Sequence, residues 1–550
     1  MVLALAITLG LTVTLFLAAM VEQWLLPKPK SIIQRSWQSL LIATLTLVTL
    51  FFLYFAVTRR VGLTTVLTAA LPLLLMIVSN AKYKHLHEPL VFSDWRYFWE
   101  AVRYPKLYLP YFGMWRAVFL LLAFIVLVSI WLMLETPFEP SQAVFLLGLI
   151  MAVAAWVLSI FILNHWPEAR RKLNPVGDLY DWGGLCMHRV YRLRLNDSVV
   201  IKPAPFLNFN TSKSNQPDIV CIQAESFVDR RRWGALNTMM TQAFNKGNSE
   251  KKSKFAHYQL MLPNWDALIH KSVFNGTLSV PAWGANTQRT EFAVLTGLDE
   301  DTLGAHRFDP YRSLLMPEVL NCSTALPAWL TKQGYHTTFI HPYFATFYDR
   351  HKIMPRLGFN QFIDIQSFKH KQDSNAYVSD IAVGESILKQ LNERSHNDAP
   401  TFIYAVTMQG HGPYQTEKHQ KLSSIDHCQR VLHAYDQCLQ ATDHMLGELK
   451  RSLEHRQRKT ILCVWGDHVP ILTPIYEHFG QPDGLTDYLI WQNDTHDSET
   501  QQAMKQGARK QGDLNQHAAN QNLVNRHCRA DQLAQLLLDV CGFKTNGFKV

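Results

Sequence analysis

Five long apolar runs crowd the first 164 residues of this chain, and they decide what that part can fold into. They cover roughly 2–20, 39–57, 61–79, 117–134 and 143–163, with almost no charge inside them. Each approaches the ~20 residues with which a helix crosses the hydrocarbon core of a bilayer. Buried helices of a soluble domain are the competing reading, and five such runs in so short a stretch weigh against it. The first run lacks a basic n-region and a small-residue cleavage site, and further spans come after it, so it reads as a retained anchor rather than a signal peptide. The expected organisation is a bundle of five transmembrane helices over 1–165, a juxtamembrane connector over 166–217, and a soluble domain over 218–550.

Between the third and fourth spans, residues 82–116 mix Trp95, Tyr97, Trp99, Tyr104 and Tyr108 with Lys and Arg. Such a mixture settles where an apolar body meets wet headgroups, so an interfacial loop is expected. An odd number of spans puts the two termini on opposite sides. Lys28, Lys30 and Arg35, this loop, and Arg170, Arg171 and Lys172 then share the side of the C-terminal half. The positive-inside rule alone would put that half in the cytoplasm. The net charge of +9 is spread out, which argues against nucleic acid as a partner and makes attraction to anionic lipid at least as natural. All 8 cysteines lie from Cys186 onward without a C-x-x-C pair, so neither a zinc knuckle nor a thioredoxin-type site is expected. Disulfides remain open on sequence alone.

After the connector, β-forming runs at 219–222, 337–340, 402–406 and 461–465 alternate with helical patterns, notably 378–391 and 429–453. The alternation predicts an α/β domain with a largely parallel central sheet, whose ligands gather beyond the carboxyl ends of the strands. Residues 497–525, rich in Gln, Asn and Lys, read as a mobile insertion, and 530–540 as a closing helix. The residues just past the strands carry chemistry. The first strand runs into Glu225, the third into His411, and the last into Asp467 and His468. Two carboxylates and an imidazole suit zinc or manganese better than calcium. A fourth oxygen is available from Thr287, at a loop-to-helix transition where Asn286 or Thr287 caps the helix and acids come in its first turn. A metal-bound hydroxyl loses its proton readily, which would make Thr287 a nucleophile near neutral pH.

These residues resemble the lipoteichoic acid synthase and phosphoglycerol transferase branch of the alkaline phosphatase/sulfatase superfamily. The resemblance rests on DIVCIQAESF (218–227), GANTQRTEFAVLTGL (284–298), FYDRHKIMPRLGF (347–359), TMQGHGPY (407–414) and WGDHVP (465–470). It implies an alkaline-phosphatase-like domain carrying one metal, manganese first with magnesium or zinc as alternatives, on Glu225, Thr287, Asp467 and His468. Thr287 is then the nucleophile, and Arg350 and His411 hold the glycerol phosphate. Tyr348 stands where the synthases have Trp, and the Gln288-Arg289 pair is more like relatives that decorate glycans in Gram-negative envelopes. The resemblance further implies a bacterial inner-membrane protein whose catalytic domain faces the periplasm, against the charge count. It implies phosphoglycerol transfer from phosphatidylglycerol to an envelope glycan or polyol. Phosphoethanolamine transfer and a non-catalytic membrane sensor are the alternatives. A sulfatase activity is disfavoured, because Ser279, Pro281 and Trp283 lack the Arg of the C/S-x-P-x-R pattern.

Overall fold

The computed structural model describes residues 1–105, 107, 114–139, 141–197, 199, 209–210, 216–247, 259–316, 325–368, 377–394, 399–414, 424–493 and 526–545. Tyr108 of the interfacial loop and the polar stretch 497–525 lie outside them. The chain divides into two units, Met1–Ser198 with Leu303–Asp309, and Val199–Thr302 with Pro310–Val550.

Among the described residues of the first unit, four helices are long and apolar enough to cross a membrane: Val2–Glu22, Trp37–Thr58, Val61–Leu86 and Gln142–His165. The remaining apolar run lies in the Met114–Leu134 helix, whose apolar part among the described residues is Val118–Leu134. Phe119, Leu121, Ile125 and Met133 on that helix are exposed, as are Leu146, Ile150, Val153 and Val157 on the last one. So much exposed apolar surface is untenable in water and natural in lipid. Inside, Phe51, Phe52 and Phe55 pack with Val61, Val144 and Ala152. Gly148 permits this contact, since a Cβ there would lie 3.0 Å from the Ala56 backbone.

Charges from separate loops meet. Arg59 pairs with Glu139 at 3.0 Å. The Glu135 carboxylate accepts from the Gly62 and Leu63 N–H groups at 3.0 and 2.9 Å, offsetting the positive end of the Val61–Leu86 helix. Lys82 pairs with Asp94 at 2.6 Å, so part of the aromatic loop's positive charge is neutralised internally. Trp95 and Trp99 of the Trp95–Arg103 helix stay exposed, as headgroup-level aromatics should. Beyond the last span, Asn174 accepts from the Gly177 N–H at 3.3 Å and caps the Pro175–Trp182 helix, and Gly184–Arg194 comes next. Trp166, Leu173, Trp182 and Tyr191 form a core that Ala305 and Phe308 complete.

Among the described residues the second unit has ten strands in chain order: β1 Phe209–Asn210, β2 Asp218–Ala224, β3 Phe274–Ser279, β4 His336–Ile340, β5 Gln361–Ile363, β6 Thr401–Val406, β7 Thr460–Gly466, β8 Thr486–Gln492, β9 Cys528–Arg529 and β10 Lys544–Thr545. β1 and β10 pair in a small antiparallel ribbon, and the other eight form one sheet in the order β5-β4-β6-β2-β7-β8-β3-β9. From β5 to β7 all neighbours are parallel, whereas β8 runs antiparallel to both β7 and β3. The four expected strands are β2, β4, β6 and β7, the central parallel ones. β2 and β7 are buried at every residue, which is why their interiors, 219–222 and 461–465, read as apolar runs. Val220, Ile222 and Ala224 of β2 share a core with Leu446, Leu449 and Leu453 of the Ser424–Glu454 helix. Gln223, on the opposite face of β2, reaches the Thr287–Thr296 helix through the Thr287 carbonyl, 3.4 Å away.

Candidate metal centre and nucleophile

Parallel neighbours release their chains at the same edge of a sheet, so the loops leaving β6, β2 and β7 must converge. Glu225 comes directly after β2, and Asp467 and His468 directly after β7. One ligand atom from each of the three lies within 4.8 Å of the others, and all three residues are buried. His468 Nε2 stands 3.3 Å from Asp467 Oδ2 and 3.6 Å from Glu225 Oε1. The ring's other nitrogen, Nδ1, lies 3.1 Å from the Val469 carbonyl, which can only accept. Nδ1 therefore carries the proton and Nε2 presents its lone pair to the two acids.

Such a group is electrostatically incomplete. Asp467 Oδ2 is buried and accepts no hydrogen bond among the described residues. Burial, and next the charge of Asp467, push the Glu225 carboxyl up to about 8. Two acids and one imidazole lone pair sharing a dry site call for a divalent cation, and this donor set fits one.

Glycines make the approach of the loops feasible. A Cβ on Gly466, just before Asp467, would lie 1.8 Å from the Phe227 carbonyl oxygen. One on Gly410 would lie 2.2 Å from the Glu225 carbonyl oxygen. The Ser226 N–H donates to Asp467 Oδ1 at 2.8 Å and its hydroxyl to Glu225 Oε1 at 2.9 Å, so one residue orients both acids.

Thr287 opens the Thr287–Thr296 helix, with Oγ1 3.5 Å from His468 Nε2. Asn286 occupies the cap position but in a left-handed conformation (φ 67°), and its side chain makes no capping bond. The first turn holds no acid, contrary to the sequence reading; Glu291 lies one turn further on. Thr290, one turn beyond Thr287, is fully buried and donates its hydroxyl to the Asp467 carbonyl at 2.7 Å. Thr277 and Ser279 sit on β3 and contact His527 at 3.0 and 3.1 Å. Of the hydroxyls in this stretch, Thr287 is the one brought to the acid–imidazole group.

Arg350, expected at the phosphate, is fully buried and already engaged. Its Nη2 and Nε donate to Glu291 at 2.9 and 3.2 Å, and Nη1 meets His341 Nε2 at 3.2 Å. The Tyr311 hydroxyl donates to the same Glu291 carboxylate. Tyr348 stacks beside the guanidinium, with Arg350 Cζ 5.1 Å from the ring centroid. The charge of Arg350 still acts on the acids, lowering the pKa of Glu225. His411 Nδ1 lies 2.7 Å from the Gly412 carbonyl, which leaves Nε2 as the acceptor. Burial lowers the pKa of His411, against an opposing pull from Asp467.

Four of the six non-glycine residues with left-handed backbone among the described ones adjoin these groups: Ser226, Asn286, Tyr348 and Asp349. Each costs about 1–3 kcal/mol, so the loops are held by their surroundings rather than by local preference. Sequence reasoning missed Ser226, Glu291, Tyr311 and His341. His341 directly succeeds β4, so the strand-end rule that found Glu225 also covers it. Glu291 and Tyr311 had no such signal. Among the described residues every cysteine is a free thiol, and Cys322 lies outside them.

The chain is similar to several known proteins. A capsular polysaccharide biosynthesis protein of Rhizobium meliloti (strain 1021) is 27% identical over 436 residues, 75% of this chain and 74% of that protein. A second protein of that organism, named for cyclic beta-1,2-glucan modification, is 26% identical over 299 residues, 53% of this chain and only 41% of its own length. In fold, the chain is similar to the integral membrane lipooligosaccharide phosphoethanolamine transferase A of Neisseria meningitidis, with a TM-score of 0.50, 12% identity and 96% of each chain covered. Residues 217–519, more than half of the chain, match the sulfatase family, and with them the whole acid–imidazole group and its hydroxyl. The chain belongs to the sulfatase family.

Proposed function

We propose that this protein is a membrane-bound phosphotransferase that moves a phosphoglycerol group from phosphatidylglycerol to a hydroxyl of an envelope glycan or polyol by way of Thr287. The observation that carries the reading is the helix-start hydroxyl of Thr287, 3.5 Å from His468 Nε2 beside two buried acids. The names of the two rhizobial relatives support a glycan as acceptor. The Met114–Leu134 helix is taken as a fifth crossing, which puts the N-terminus and the catalytic unit on opposite sides. The unit is assigned to the periplasmic face of a bacterial inner membrane, where lipid headgroups and glycans meet.

A divalent ion held by Glu225, Asp467, His468 and Thr287, manganese in preference to magnesium or zinc, would lower the pKa of the Thr287 hydroxyl. Thr287 Oγ1 attacks the phosphorus of the donor, the bond to the diacylglycerol oxygen breaks, and a phosphoglyceryl ester forms on Thr287. An acceptor hydroxyl then attacks the same phosphorus and Thr287 leaves. His411 is held neutral, with Nδ1–H on the Gly412 carbonyl, so Nε2 can hold the headgroup or take the acceptor's proton. The uncapped N-terminus of the Thr287–Thr296 helix favours charge on the phosphoryl oxygens. Arg350 adds positive potential while its fork stays on Glu291, and Tyr348 fixes its plane.

The test is a quenched reaction of the full chain with headgroup-labelled phosphatidylglycerol or phosphatidylethanolamine, then peptide mapping. Label from phosphatidylglycerol on the Thr287 peptide, absent in Thr287→Ala, is expected. Label on Ser279 or Thr290 would overturn the mechanism, and label from phosphatidylethanolamine alone would overturn the donor.

A further inference from the structure

The first unit contains a cavity of about 530 Å³ that none of the chemistry above uses. Its walls are mostly apolar and come from three of the spanning helices, the aromatic loop and the Gly184–Arg194 helix, including Leu50, Leu71, Trp95, Phe98, Trp156 and Leu185. Leu71 lies 15 residues before the end of the Val61–Leu86 helix, or about 22 Å at 1.5 Å per residue. The slot therefore extends well into one leaflet of a hydrocarbon core about 30 Å thick.

The Gly184–Arg194 helix contributes the charge in the cavity wall, with Arg189 and Arg192 among the lining residues. Arg189 donates to the Ser159 hydroxyl at 2.8 Å, and no carboxylate among the described residues pairs with either arginine. Arg192 lies over the Phe92 ring, with Cζ 5.1 Å from the centroid. Nearby acids are taken: Asp94 by Lys82 at 2.6 Å, Asp178 by Arg171 at 3.0 Å, and Asp197 by Arg194. Burial lowers the pKa of Arg189, as expected of a guanidinium withdrawn from water without a counter-ion. His188, also lining the cavity, is pushed down to about 4 by burial and by Lys82, so it is neutral and available as a hydrogen-bonding neighbour.

An apolar slot reaching into a leaflet and ending in two guanidinium groups without carboxylates has one matching occupant in a bilayer. We infer that this cavity binds a glycerophospholipid, one acyl chain in the slot and its phosphate on Arg189 and Arg192. Guanidinium and phosphate match in fork geometry and charge, and the carbon chain replaces water along Leu50, Leu71 and Trp156. The inference stands apart from the transfer reaction, because it concerns retention of a lipid and needs no turnover.

The experiment uses the full chain carrying Thr287→Ala, so that no probe can be consumed. Protein stripped of lipid in detergent is offered phosphatidylglycerol, phosphatidylcholine or diacylglycerol, and bound lipid is counted by native mass spectrometry. Either phospholipid should be retained at one per chain, and diacylglycerol, which lacks the phosphate, should not. Arg189→Gln with Arg192→Gln should weaken retention about ten-fold or more, the effect of losing charge-assisted hydrogen bonds. Leu71→Trp, which fills the slot and leaves the arginines in place, should weaken it as well, in protein whose thermal unfolding is unchanged. Diacylglycerol retained as well as the phospholipids, or phospholipid retained equally by folded Arg189→Gln/Arg192→Gln and Leu71→Trp proteins, would overturn the inference.

Discussion

Removing the guanidinium of Arg350 separates two roles for this residue, phosphate clamp and buried structural pair. Both Arg350 and Glu291 are fully buried, and two hydrogen bonds at 2.9 and 3.2 Å join them. Arg350→Met would leave the Glu291 charge facing the Tyr311 hydroxyl, a neutral donor that cannot replace a guanidinium in so dry a site. Breaking one side of a buried pair costs about 3–5 kcal/mol. At about 2–4 °C per kcal/mol for a domain of ~200 residues, and somewhat less for a larger one, the melting temperature should fall by roughly 10 °C. Removing both charges with Glu291→Leu and Arg350→Met should restore much of that loss, since apolar replacement of a buried pair is often near neutral. The assay is thermal unfolding of the full chain in detergent, monitored by tryptophan fluorescence, for the two single variants and the double. A coupling of about 2 kcal/mol or more between the two sites is expected. Arg350→Met protein that melts with the wild type yet has lost transfer would refute the reasoning. Arg350 would then be a free clamp for substrate, as the family resemblance first suggested.

Asp467→Asn removes the carboxylate whose Oδ2 has no hydrogen-bond donor among the described residues, so most of the bound divalent ion should be lost; elemental analysis of purified protein reads this, and unchanged metal content contradicts the site. Because burial lowers the pKa of His411 below its ordinary 6.5, the imidazole stays neutral through pH 7 and protonates only further down. A rate that needs neutral His411 should therefore hold from pH 7 to below 6.5 and fall on the acid side. A pH–rate profile in which that fall vanishes in His411→Gln checks the assignment. The catalytic unit is assigned outside the cytoplasm, so a membrane-impermeant protease should cut it in intact spheroplasts; cutting only after lysis would favour the positive-inside count.

Periodicity and local chemistry sufficed for much of this protein. Spans of about 20 apolar residues leave helices in lipid as the main solution, and four of the five runs form helices of full spanning length. β2, β4, β6 and β7 were legible because strands buried on both faces carry runs of β-forming residues in their interiors, with polar residues such as Asp218, His336, Thr401 and Thr460 at their starts. Glu225, Asp467 and His468 were legible because a parallel sheet delivers its strand ends to one edge, so position after a strand is itself a statement about location. Whatever depends on contact across the fold was not legible. Thr287 could be placed at a helix start from sequence, but only the packing of that helix turns its hydroxyl toward His468 and that of Thr290 onto the Asp467 carbonyl. Arg350 matched a motif, but its partner is 59 positions away in sequence, and no local pattern encodes such a distance. The same holds for Leu303–Asp309, which joins the first unit from within the second half. Local sequence decides which atoms are offered and roughly at which strand end or helix turn. Burial and long-range pairing, which are properties of the packed chain, decide which of those atoms are left free to bind a cation or attack a phosphorus.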